Sequence, residues 1–265
     1  MPSERLRKRI AKGFSDAATT YDHWSALQQR VARRLAAILP ADIPHGMILD
    51  AGCGTGALAE LLHAQYPARR ILGIDFAPGM IEVCRGRWAD EGNLDFQVAD
   101  VEQFTAPEPC GLVASSFSVH WLAHPGAAFA RMAQWLTPGG TMAMAVPVDG
   151  SLPELREAYH CITGSPLRGR PFPTGTGCLE WLAHAGLTCP AVENEVFSEY
   201  FDDARQALHS FKGIGATLRD HEGYTPLTPA ATRRLLCYYD QHFAGADGCV
   251  PVSYDVLLFV AEKPG

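Results

Sequence analysis

Five short apolar runs alternate with amphipathic stretches through the first 148 residues. The runs are Met47–Cys53, Arg70–Asp75, Leu94–Asp100, Gly111–Phe117 and Thr141–Val146. Helix-like stretches lie between them, at 57–62, 78–88 and 127–136. Strands this uniformly apolar, alternating with helices, predict a mainly parallel sheet covered on both faces. Ahead of the first run, residues 3–38 carry Leu6, Ile10 and Phe14, then Leu27, Val31, Leu35 and Leu39, at four-residue spacing. That spacing predicts amphipathic helices. Beyond Val148 the rhythm loosens. Helices are expected over 152–162, 178–185, 203–214 and 229–243, strands over 192–201 and 252–261, and a Gly-, Pro- and Arg-rich loop over 163–176. The helical material of 149–175 and 203–245 exceeds what a minimal sheet needs and is expected to cap one end of it.

Composition narrows the class. The chain has 265 residues, 47% hydrophobic and 19% charged, as in an ordinary globular protein. Its formal net charge of -7 argues against a general nucleic-acid binder. No apolar run is long enough to span a bilayer, and the basic start of the chain lacks the apolar stretch of a signal peptide. Eight scattered cysteines with no CxxC pair read as reduced thiols in a cytoplasmic protein and predict no metal site.

The chemistry gathers where apolar runs end in acids. Asp50 is followed by Gly52-Cys53-Gly54-Thr55-Gly56 and then by a helix; Asp75 and Asp100 close the second and third runs, with Phe76 and Val101 just after. Glycines allow positive φ and a close backbone approach to a ligand. A dinucleotide fold would carry GxGxxG with a phosphate at the helix start. The GxGxG spacing, preceded directly by an acid, differs from that pattern.

The set Asp50-Ala51-Gly52-Cys53-Gly54-Thr55-Gly56, Asp75 and Asp100-Val101 resembles the class I S-adenosylmethionine-dependent methyltransferases over residues 47–148. The resemblance implies an α/β, Rossmann-like sheet, mostly parallel with one antiparallel strand, plus N-terminal helices and a helical cap. It implies one domain over 1–265: a helical cover at 1–46, a cofactor core at 47–148, an acceptor side at 149–245 and a final strand at 246–265. The cofactor would be S-adenosylmethionine, leaving as S-adenosylhomocysteine. The glycine loop of Gly52, Gly54 and Gly56 would lie against its methionine part, Asp75 would hold the ribose hydroxyls, and Asp100 the adenine amine, with Phe76 and Val101 beside the ring; Asp50 and Ser116 would also bind the cofactor.

Three segments outside that core, 14–22, 150–155 and 211–217, together with 118–122 inside it, are similar to the malonyl-[acyl-carrier protein] O-methyltransferase family of biotin synthesis, although His120 stands where Gln is familiar. The family resemblance implies methylation of a free malonyl carboxylate on an acyl-carrier-protein or CoA thioester. A carboxylate is already ionised near neutral pH, so the chemistry needs orientation rather than a base. Tyr21, Lys212 and His120 are the expected orienting groups, and Trp121, Arg168 and Arg170 the expected substrate or carrier contacts. Arg233, Arg234 and the N-terminal basic cluster are further patches for an acidic carrier. Three alternatives stay open on the sequence: a methyltransferase of another small carboxylate or phenol, a non-catalytic cofactor binder, and a dehydrogenase.

Overall fold

The computed structural model describes residues 4–167, 169–216 and 226–265. Seven strands form one sheet: β1 (Met47–Ala51), β2 (Ile71–Asp75), β3 (Leu94–Val98), β4 (Cys110–Ser116), β5 (Leu136–Pro147), β6 (Thr188–Phe201) and β7 (Val250–Glu262), in the order β3-β2-β1-β4-β5-β7-β6. Neighbours from β3 to β5 pair in parallel. Only β7 runs against the others, pairing antiparallel with both β5 and β6. This is the mostly parallel sheet with one reversed strand that the resemblance implies.

Residues of β1 alternate between two cores, which is why the strand reads as unbroken apolar sequence. Ile48 packs with Leu27, Leu35 and Leu62 on one face; Met47 and Leu49 pack with Phe129, Met132 and Phe259 on the other. Burying both faces leaves no polar side for alternation to mark. The first face is covered by α3 (Ala26–Ala37), α4 (Ala57–Gln65), α7 (Pro153–Thr163), α9 (Ala204–Gly213) and α10 (Pro229–Phe243). The second is covered by α6 (Pro125–Trp135) and α8 (Gly175–His184). Helix α5 (Pro78–Arg87) follows β2.

Strand boundaries depart from the sequence reading in places. Strand β5 begins at Leu136 rather than 141 and runs through Pro138-Gly139-Gly140, with an irregular register between Cys110 and Leu112 on its neighbour. Strand β6 begins at Thr188 rather than 192, because β7 offers it a partner along its whole length. Strand β3 stops at Val98, short of Asp100. There the Asp100 carboxylate accepts the Glu102 amide at 2.9 Å and turns the chain.

Two short N-terminal helices, α1 (Glu4–Ala17) and α2 (Tyr21–Trp24), lie across the carboxyl end of the sheet. Close backbone approaches seat them. A Cβ on Gly213 would stand 2.3 Å from the Trp24 ring, and one on Gly215 would stand 2.7 Å from the Gly13 carbonyl oxygen. The small residues after Lys212 therefore make room for the cover. Replacing Gly213 by Ala sets a helix-propensity gain of about 1 kcal/mol against overpacking of a rigid indole, typically 1–3 kcal/mol. Because Gly213 closes the helix, where propensity counts least, Gly213→Ala is expected to lower the melting temperature. An equal or higher melting temperature would show that Trp24 yields without cost.

Candidate functional site

The strand order reverses between β1 and β4, and in open α/β sheets ligands bind at the carboxyl ends beside such a reversal. The glycine turn stands there. Gly52, Gly54 and Gly56 all have positive φ, of 79°, 54° and 88°. A Cβ on Gly52 would meet the Ser118 Oγ at 1.9 Å. The Gly52 and Cys53 amides donate to the Ile74 carbonyl, and the Gly54 amide donates to the Asp75 carboxylate at 3.0 Å. The other Asp75 oxygen accepts the Ala77 amide at 2.8 Å.

A cleft runs along these strand ends. One part is lined by Asp50, Gly52, Cys53, Gly54, Asp75, Phe76 and Ser116, under Phe14 and Tyr21 of the cover. The next part adds Asp100, Val101 and Glu102, under Arg7 and Ile10. Asp75, Phe76 and Gly52 border both parts. The structure thus places Asp50, Asp75 and Asp100 in file along one cleft, with Val101 and Phe76 at its Asp100 end. Gly56 stands apart from the lining: it begins α4 behind the turn, with Trp88 and Cys84 where a side chain would go.

The first two acids are unusual. Asp50 is 1% exposed and neither of its oxygens has a hydrogen-bond partner. Burial first, then the charge of Asp75, pushes its pKa up to about 8; the nearby Ala59 amide relieves it only slightly, without closing a hydrogen bond. Burial also raises Asp75, to about 6, against the amides of Ala77, Gly54 and Phe76. Orphaned acceptors in a buried site call for a donor. The Ser116 hydroxyl, also unpartnered, adds a further polar group to the same wall.

Asp100 is already engaged on both oxygens. One oxygen accepts the Glu102 amide and the other pairs with Arg7, which reaches across from α1 and also holds Glu102 at 3.1 Å. Glu102 in turn accepts the amides of Ala123 and His124. Burial works to raise Glu102, but those amides and Arg7 outweigh it and hold it low. Arg7 gave no motif signal, since it reads as one of many arginines on a solvated helix face. Asp22 was also missed. It accepts the Thr55 hydroxyl at 2.6 Å and pairs with Arg87, so the cover is tied to the glycine turn itself.

Beyond the cleft lies a cavity of about 510 Å³, within the usual range for ligand sites. Five residues, Phe14, Tyr21, Gln28, Phe117 and Trp121, line both spaces and form the window between them. Apolar groups from Leu152, Leu167, Phe172, Phe211, Ile214 and Tyr254 make up much of the cavity wall. Phe117 and Leu152 have φ of 54° and 59°, a region that costs a residue with a Cβ about 1–3 kcal/mol. Both strained residues border this one cavity. The Gln28 side-chain oxygen is buried at the window without a partner.

Tyr21 and His120 line the cavity, and Trp121 stacks edge-on with Phe14 at 5.2 Å. Enclosure, then the charges of Asp75 and Asp22, raises the Tyr21 phenol, which keeps its proton as a donor. His120 is buried. Burial first and Arg170 second push it down to about 3, so it is a neutral imidazole rather than a cation.

One expectation needs correction. Lys212 is exposed at the end of α9 and does not border the cavity, whereas its neighbours Phe211, Ile214 and Ala216 do. The helix places Phe211 inward, which carries the next residue outward. Arg170, expected as a substrate or carrier contact, borders the cavity. It is half-buried in the cavity wall and donates to the Leu122 carbonyl. Burial lowers its pKa while the Glu102 carboxylate pulls the other way. Arg168 falls outside the described residues. Arg233 and Arg234 are exposed on α10. Cavity residues that the sequence did not single out are Gln28, Arg156, His160 and Tyr254.

Residues 48–140 match the family model of a methyltransferase domain. The malonyl-[acyl-carrier protein] O-methyltransferase of Anoxybacillus flavithermus is 31% identical over 95% of this chain and 96% of its own length. That of Geobacter sulfurreducens is 31% identical over 97% and 99%. Among solved structures, geranyl diphosphate C-methyltransferase of Streptomyces coelicolor, in complex with S-adenosyl-L-homocysteine, Mg2+ and geranyl diphosphate, aligns with a TM-score of 0.53 at 14% identity. It covers 88% of this chain and 78% of that one, a likeness of fold. Among the described residues no helix is long and apolar enough to cross a membrane.

The raised Asp50 yields a pH prediction. The ordinary value of such an acid is 3.8 and the folded value of Asp50 about 8. Such an acid contributes stability fully only below the unfolded value and loses it as pH rises through the folded one. Asn, isosteric with the protonated acid, has no such loss. The melting temperature of the cofactor-free protein should therefore fall relative to that of Asp50→Asn as pH is raised from about 4 to 8. Parallel curves would contradict the burial of an unpaired acid at this position. With identity above 30% to relatives matched over nearly their whole length, this chain belongs to the malonyl-[acyl-carrier protein] O-methyltransferase family, within the class I methyltransferases.

Proposed function

We propose that this protein transfers a methyl group from S-adenosylmethionine to the free carboxylate of a malonyl thioester on acyl carrier protein. The product methyl ester masks a charge that apolar chain-elongating enzymes would reject, which suits it to start the pimeloyl chain of biotin. The observation that carries the reading is the shared window. An acid-lined cleft and a separate apolar cavity meet at Phe14, Tyr21, Gln28, Phe117 and Trp121.

The residues present fit the cofactor. Asp50 offers two unpartnered acceptors to an ammonium group, Asp75 a carboxylate to a ribose diol, and Phe76 and Val101 apolar contacts to a base. Asp100 would take the adenine amine while shared with Arg7. When bound, S-adenosylmethionine supplies an electrophilic methyl group on a cationic sulfonium. Nothing in the cleft needs to bind phosphate, and the buried acids would repel one.

The protein's own contribution is placement. Arg170, enclosed yet permanently charged, is the cation of the inner cavity and would draw the malonyl carboxylate toward the window. Tyr21 would donate its phenolic hydrogen to the same carboxylate. His120, neutral, supplies shape and a weak hydrogen bond without over-stabilising the nucleophile. Phe117, Trp121, Phe172 and Tyr254 exclude water. Once esterified, the substrate has no charge for Arg170 to hold, which favours release. CoA thioesters present the same malonyl group and would be accepted through it.

The test is transfer of labelled methyl to malonyl-carrier protein, with the label released on mild alkaline hydrolysis as an ester. Arg170→Ala should lower kcat/KM for the malonyl substrate by about tenfold or more, and Lys212→Ala should leave it near wild type. Label no greater than in a no-enzyme control would refute the function. Equal kinetics for Arg170→Ala would refute the role of that residue.

A further inference from the structure

The malonyl reading explains the inner half of the cavity and leaves the outer half without an occupant. A three-carbon diacid cannot fill about 510 Å³. The remaining space follows one stripe of α7. Leu152 caps that helix, and Arg156 and His160 follow at four-residue intervals, so all three share a face and all three border the cavity. Exposure rises along the stripe: Leu152 is buried, Arg156 half-buried and His160 exposed. The cavity therefore opens to solvent along α7, and the stripe turns from apolar to basic as it does so. From Leu152 to His160 the helix rises about 12 Å.

Arg156 is held in position but not neutralised. One of its Nη atoms donates to the Asp149 carbonyl, and it forms no ion pair among the described residues. A guanidinium has five N–H donors in a fixed fork that matches phosphate geometry, so most of its capacity stays available. Arg170 is distinct in both depth and company. It lies by His120, whose ring is 5.1 Å from Trp121 at the window, and it faces Glu102. The protein carries a net charge of -7, so a cation without a carboxylate partner at a cavity mouth is not a sample of its average surface.

We infer that Arg156, with His160 outside it, binds the phosphate of the phosphopantetheine arm whose far end carries the malonyl group. The inference rests on the malonyl-thioester reading. The arm would lie along α7 against Leu152 and Leu167, with its thioester inward toward Tyr254 and Phe172 and its phosphate at the basic end of the stripe. Carrier protein and CoA share this arm, so the contact recognises the group common to both.

The test compares two ligands that differ only in the phosphate: S-malonyl-4'-phosphopantetheine and S-malonyl-pantetheine. Calorimetry on the wild-type protein and on Arg156→Ala reads binding without turnover, so a failure of methyl transfer is scored separately from a failure of the phosphate contact. Wild type should bind the phosphorylated ligand about tenfold more tightly, and Arg156→Ala should erase that preference. Arg156→Lys should restore part of it, since charge remains while the fork is lost. Malonyl-carrier protein and malonyl-CoA, run as further arms, should both show a raised KM with Arg156→Ala. Equal wild-type affinity for the two small ligands would overturn the proposal. So would a loss in Arg156→Ala that is the same with and without phosphate, which would place the malonyl carboxylate there instead. Bound S-adenosylhomocysteine with unchanged affinity in the variants checks that the fold is intact.

Discussion

One carboxylate sets the geometry of the site. Asp75, 8% exposed at the end of β2, accepts the Gly54 amide with one oxygen and the Ala77 amide with the other. The first bond shapes the glycine turn after β1, and the second shapes the start of α5. Two strand-to-helix junctions thus share a single side chain. The cost is an acid buried beside a second one, Asp50, and burial raises both above the usual carboxylate range. A wholly structural acid would not leave a neighbour with two orphaned oxygens. A cationic ligand would relieve both strains together, and the positive sulfonium and ammonium of S-adenosylmethionine have the charge required.

The N-terminal cover extends this logic outward. Asp22 joins it to Thr55 of the glycine turn, Ser15 accepts the Gly79 amide at 3.2 Å at the start of α5, and Arg7 reaches Asp100 and Glu102. Each of these three ties runs to a strand end or helix start beside the cleft. The cover also supplies Phe14 and Tyr21 to the window, and Gln28 of α3 completes that side. The helices that close the cofactor cleft therefore also form the inner wall of the acceptor cavity. Gly213 and Gly215 let α9 and the segment after it press against Trp24 and Gly13, which couples the far side of the cavity to the same cover.

How much of this was legible follows from the range of each signal. Asp50, Asp75 and Asp100 were readable because each stands in or just after a strand whose apolar run is local. Burial of both strand faces made those runs plain. Arg7 and Asp22 were not readable, since their importance lies in partners 93 and 33 residues away. Lys212 drew attention through the glycines beside it, yet those glycines serve the packing of Trp24 and leave the lysine in solvent. Arg170 was expected as a substrate or carrier contact because the cap should face the active site; that its loop folds far enough inward to bring the guanidinium to the Leu122 carbonyl was not written in the local pattern. Arg156 lay one residue past a segment noted for its resemblance, within an expected helix, and helical spacing from Leu152 is what turns it into the cavity.

The window between the two spaces is the feature on which cofactor, acceptor and chemistry all converge. Its most direct test is a crystal structure with S-adenosylhomocysteine bound. The ribose is predicted to lie against Asp75, the adenine by Val101 and Phe76, and the sulfur at the opening framed by Tyr21, Phe117 and Trp121, facing the cavity that holds Arg170. Density for the ligand elsewhere, or a sulfur turned away from that opening, would contradict methyl transfer through the window.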